Sequence, residues 1–170
     1  GGLDLALSPA QRVKLAREAV ASITGVGIRS EAVLEAGFAL QIATRMETTD
    51  PRTLYLLHEI GEETRHQRLC IRLGEQSAPT AVNPLARPLF RTLQRFGIRL
   101  IIALPATLYT LVLGGEEIPD LLQKKASEHP DTDPFIREVN RYHRQEEARH
   151  LSFARAVLPE VWEKAGPVDR

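Results

Sequence analysis

The pentapeptide Glu62-Glu63-Thr64-Arg65-His66 recurs as Glu146-Glu147-Ala148-Arg149-His150. On a helix, residues three apart share a face, so each copy aims one carboxylate and one imidazole at a common point. The repeat therefore asks for two helices facing one another across a shared site. No other feature of the chain constrains its fold so strongly. The second copy adds His143 four residues before Glu147, and His143, Glu147 and His150 line one face over two turns. Two such helices can clamp a pair of metal ions.

The remaining sequence supplies more helices and no strands. No segment alternates with period two, and nothing is low in complexity. Ser8-Pro9 reads as an N-cap and first helical position, opening a helix to about Ile23 that Gly25 and Gly27 end. Ser30 opens a second helix to about Glu47, and Thr48-Thr49-Asp50-Pro51 turns into a third that reaches about Leu73. Residues 75–83 form a connector, and a short helix follows near 84–95. A helix from about Ile98 to Lys125 should be kinked or segmented by Pro105 and Pro119, and the turn from His129 to Pro134 leads into the helix of the second motif. The expected architecture is all-α, two helical hairpins in a four-helix bundle with additional short helices.

Residues 1–170 are most economically a single domain, with the metal-binding core over about 30–155. Lysine plus arginine and aspartate plus glutamate both number 22, so no electrostatic pull toward nucleic acid or an anionic membrane is expected. Cys70 is the only cysteine, which excludes an internal disulfide or a thiolate-rich metal site and suits a cytoplasmic location. The most apolar stretch, around Ile101 to Leu108, is broken by Pro105 and reads as buried core rather than a membrane span. Gly1-Gly2 is neither an initiator methionine nor a signal segment and points to a trimmed or tagged beginning.

Di-metal carboxylate bundles take a Glu-x-x-His pair from each of two helices and one further glutamate from each of the other two. Antiparallel neighbours place level residues equidistant from their turn. Reflecting Glu63 and His66 through a turn near 50 lands on Glu35, with Glu31 as the fallback. Reflecting Glu147 and His150 through a turn near 132 lands on Glu116, with Glu117 beside it. Glu59 occupies in the first copy the position of His143 in the second, so the imidazole should enrich only the metal nearer the second motif. Glu59 itself is expected to hydrogen-bond a histidine or meet solvent. Arg65 and Arg149 pair with Glu62 and Glu146 as supports. Carboxylates and imidazoles without thiolate suit iron or manganese and permit copper or zinc, so the ligands alone do not fix the metal.

At Glu63-Thr64-Arg65-His66 and at His143 through His150 the chain resembles the ferritin-like di-iron oxygenases of the p-aminobenzoate N-oxygenase type. The extra histidine is the distinguishing mark. The resemblance implies that Glu35, Glu63, His66, Glu116, His143, Glu147 and His150 hold two iron ions, with manganese the alternative. It further implies dioxygen as co-substrate, an electron-donor protein or other external reductant, and oxidation of a small-molecule substrate such as an aromatic amine in an apolar cavity lined by Phe38, Ile42 and Leu111. A monomer or homodimer would serve an oxygenase. The alternative is a ferritin-like iron-handling protein without an organic substrate, for which storage would require a cage.

Overall fold

The computed structural model describes residues 7–77, 79–80 and 88–169. They form five helices: α1 (Pro9–Arg45), α2 (Pro51–Ser77), α3 (Pro88–Ala103), α4 (Pro105–Glu128) and α5 (Pro134–Lys164). No strand occurs among the described residues. Helices α1 and α2 pack as one hairpin, α4 and α5 as the other, and α3 leans on α1 and α4.

Ser8 opens α1 with a capping box: its hydroxyl accepts from the Gln11 amide, and the Gln11 side chain accepts from the Ser8 amide. This start matches expectation, but the end does not. Where a break at Gly25 and Gly27 is expected, α1 runs unbroken to Arg45. A helical glycine costs only about 1 kcal/mol, and packing along a whole antiparallel neighbour outweighs that. The approach of α1 and α2 does not itself require glycine here, since an added Cβ would reach only ordinary contact. A Cβ on Gly74 would lie 3.5 Å from Thr24 Oγ1, and one on Gly27 3.8 Å from Cys70 Sγ.

Of the expected connector, residues 75–77 instead continue α2 to Ser77, and residues 78 and 81–83 lie outside the described residues, as do residues 84–87 at the start of the expected short helix. That helix extends further than expected, to Ala103, and the predicted break falls at Leu104, where the chain bends by 111° into α4. Pro105 causes the break, since it has no N–H to donate to α3. Pro119, by contrast, sits inside α4. The exposed helix ends at the break are closed by distant groups. Arg45 donates to the Ala103 carbonyl at 3.0 Å, and the Asp169 carboxylate accepts from the Ala106 and Thr107 amides at 3.1 and 2.9 Å. No single helix among the described residues is long and apolar enough to cross a membrane.

Leu34, Phe38, Leu56, Leu108, Tyr109, Val112 and Ala154 form the apolar core. Beside it lies a belt of buried acids and histidines, Glu31, Glu59, Glu62, Glu63, His66, Glu116, His143, Glu147 and His150. These interrupt the apolar faces of their helices, and so many charged groups are tolerated inside a protein only when paired or bound to metal.

Candidate metal centre

The two motifs meet through crossed hydrogen bonds. His66 Nε2 lies 2.8 Å from Glu146 Oε2, and His150 Nε2 lies 3.0 Å from Glu62 Oε2. Each histidine is therefore held by the outer glutamate of the opposite repeat. A carboxylate at Nε2 keeps the proton there and leaves Nδ1 as the free ligand atom. Arg65 donates to Glu146 at 2.9 Å and to Glu62 at 3.4 Å, and Arg149 donates to Glu62. His58 adds a contact to Glu62 at 3.2 Å. Burial opposes ionisation of Glu146, but Arg65, Tyr142 and His66 prevail and bring it down to about 2.

Inside this frame the inner atoms converge. His66 Nδ1 stands 3.4 Å from Glu63 Oε2 and 3.1 Å from Glu147 Oε1, and His150 Nδ1 stands 3.1 Å from Glu63 Oε1 and 3.2 Å from Glu147 Oε2. Each carboxylate thus turns one oxygen to each histidine. Despite these short approaches, both Nδ1 atoms and all four oxygens lack an aligned hydrogen bond. Three groups have donor atoms close enough to share an ion: Glu31, His66 and His143; Glu63, His66 and Glu147; Glu59, Glu63 and His150. Orphaned donors facing one point are what a metal centre requires, and a plain ion-pair network does not leave them.

Of the seven residues predicted, Glu63, His66, His143, Glu147 and His150 fall in these groups. Glu116 is buried against them. Burial, then the charges of Glu147, Glu63 and Glu31, raises its pKa well above the carboxylate range. Glu117 instead pairs at the surface with Arg155 at 2.8 Å.

Glu35 is not brought into the cluster. It is half-buried and accepts from Thr64 Oγ1 at 2.9 Å, while Glu31, one turn earlier, approaches His143 Nε2 at 3.3 Å. The reflection assumed a turn centre near 50. Because α1 ends at Arg45 and α2 starts at Pro51, the centre is 48, and the mirror points of Glu63 and His66 are 33 and 30.

The placement of His143 also differs from expectation. It joins the first motif's histidine, with the His66 and His143 rings 4.1 Å apart, rather than His150. Seven residues of α-helix rise about 10 Å, which carries His143 past the crossing point to the other end of the site. Glu59, expected to be peripheral, takes the matching place beside His150. Burial, opposed by His150 and reinforced by Glu63 and Glu147, pushes Glu59 up to about 8.

The roles of Glu62 and Glu146 escaped the sequence reading, which gave them only arginine partners. A signal was present, since each motif begins with two adjacent glutamates rather than one.

The cavity likewise lies elsewhere than expected. Phe38 is sealed in the core, with Ile42 and Leu111 packed against that core. A cleft of about 520 Å³ opens instead on the Glu31, Glu116 and His143 end of the centre. Cys70 lines this cleft, and burial, aided by the Glu31 charge, pushes its thiol up to about 12. It therefore stays protonated and is a poor metal ligand.

Fold and centre together define a ferritin-like helical protein with a buried carboxylate–histidine site. The chain belongs to the family of the p-aminobenzoate N-oxygenase AurF, whose model matches residues 5–170. It is also similar to the uncharacterized proteins Mb0909 of Mycobacterium bovis and Rv0885 of Mycobacterium tuberculosis, each 32% identical over 143 residues. Those matches cover 81% of this chain and 40% of each relative, so the chain spans about two-fifths of the length of the curated relatives it matches. No solved structure gives a significant match.

Proposed function

We propose that this chain carries the metal centre of a di-iron oxygenase that uses dioxygen and an external reductant to oxidise a small organic substrate. N-oxygenation of an aromatic amine is the reaction the family name suggests. The observation that supports this reading best is the set of buried, unpartnered oxygens and Nδ1 atoms of Glu63, His66, Glu147 and His150, lying beside an apolar cleft.

In this reading Glu63 and Glu147 span both halves of the centre. Glu31, His66 and His143 serve the half beside the cleft, His150 and Glu59 serve the other, and Glu116 completes the set. The lack of thiolate suits iron, with manganese as the alternative. Bound iron supplies the redox chemistry with dioxygen. The protein's part is to hold and shield. Glu62 and Glu146 keep the histidine protons at Nε2, the apolar core excludes water from one side, and the cleft admits substrate from another.

Metal analysis of the purified protein should find two ions per chain, and dioxygen uptake should depend on added reductant. A single ion per chain would sink the proposal. His143→Ala should keep its helical content and lose affinity at one of the two ions, read by metal titration. Unchanged binding at both would remove His143 from the ligand set.

A further inference from the structure

The cleft beside the centre differs in charge from what the family's name would lead one to expect. An aminobenzoate carries a carboxylate, and a buried carboxylate needs a cation or several hydrogen-bond donors to replace its water. Among the described residues no arginine or lysine lines this cleft, so no side-chain cation there would offset a bound carboxylate. Its mouth is apolar too. Ile23 and Val26 of α1 face Ile118 and Leu122 of α4 there, each more than half exposed. At about 520 Å³ the space exceeds the roughly 150 Å³ cavity that holds benzene.

Apart from Glu31 and His143, which belong to the centre and also carry unpartnered buried atoms, one side chain of the lining holds an open buried acceptor. Gln123 has a buried side-chain oxygen with no hydrogen-bond partner, whereas Asn140 already donates to the Ile136 carbonyl at 2.8 Å. A buried acceptor left open is costly, and a ligand donor would satisfy it once this half-buried side chain turns its oxygen into the cleft.

We propose that the cleft takes a neutral, largely apolar molecule bearing one hydrogen-bond donor, an uncharged amine being the simplest case, and that Gln123 receives that donor. An aminobenzoate anion is disfavoured. This rests on the oxygenase reading for its purpose but not for its test, which reads binding rather than turnover.

Purified metal-bearing protein is titrated with para-ethylaniline, para-ethyltoluene and p-aminobenzoate, with binding followed by ligand-observed NMR. The aniline should bind at least about tenfold more tightly than p-aminobenzoate. Gln123→Leu should erase its advantage over para-ethyltoluene while leaving the hydrocarbon's affinity unchanged. Ile136→Arg, which adds a cation to the wall, should narrow the gap to p-aminobenzoate. Equal or tighter binding of p-aminobenzoate by the unaltered protein overturns the proposal, as does failure of all three probes to bind. An unchanged aniline preference in Gln123→Leu overturns the role of that residue. Metal content and dioxygen uptake of the same preparation report on the oxygenase reading separately, so probes that bind without dioxygen uptake would refute that reading alone.

Discussion

One helical turn separates Glu31 from Glu35, and the two lie on nearly the same face of α1. Only Glu31 reaches the centre, so Glu31→Ala should abolish binding of one ion while Glu35→Ala leaves both, a contrast that metal titration of the two variants checks directly. Face and type were legible in the sequence, because the helical period fixes them. The choice of turn was not, since it depends on where the interhelical turn is centred, and an error of two residues there moves the mirror point by four. Protonation adds a second test at this scale. Glu59 is pushed up to about 8, and although burial alone would lower His66 and His150, Glu147 and Glu63 raise them to about 10 and 11. All three bind protons more tightly folded than unfolded, so their contribution is lost as pH rises from about 5 toward 10. Glu147 is shifted the other way. Burial would raise it, but His150 and His66 lower it, and its contribution is lost as pH falls below the usual carboxylate range. Metal-free protein should therefore melt highest near pH 5 and progressively lower to pH 9, while metal, which displaces the same protons, binds more tightly as pH rises. A melting temperature that climbs over that interval would contradict the assignment.

Among the elements, α1 shows how far local signals reach. Its start was readable because a capping box and Pro9 are local chemistry. Its continuity past Gly25 and Gly27 was not, because packing against α2 sustains it. A different glycine governs the contact with α4. A Cβ on Gly37 would fall 2.6 Å from Leu108 Cδ2 and 2.7 Å from Cδ1, and Leu108 is fully buried. Gly37→Ala should thus destabilise by about 1–3 kcal/mol despite alanine's better helix propensity. Chemical denaturation should show the loss, and Leu108→Val should recover part of it in the double variant. The break at Pro105 was readable as a break, though not as a bend of 111°, because the groups that close the helix ends there, Arg45 and Asp169, come from far along the chain.

For the molecule as a whole, those distant residues tie the ends of the fold together. Asp169, beyond α5, accepts from the first amides of α4, and Arg45, at the end of α1, holds the last carbonyl of α3. Asp169→Ala should cost about 1 kcal/mol, as loss of a helix cap does, and thermal melting checks it. The same substitution should leave metal stoichiometry at two, because the break lies at the far side of the apolar core. The crossed bonds between Glu62 and His150 and between Glu146 and His66 join the halves more intimately. Neither hairpin contains a finished histidine. A lone α4–α5 hairpin would own His150 without the carboxylate that sets its tautomer, and a lone α1–α2 hairpin would own His66 in the same unfinished state. The duplicated motif is therefore not two metal sites placed side by side but one mutual arrangement, in which a change to either copy alters the chemistry of the other.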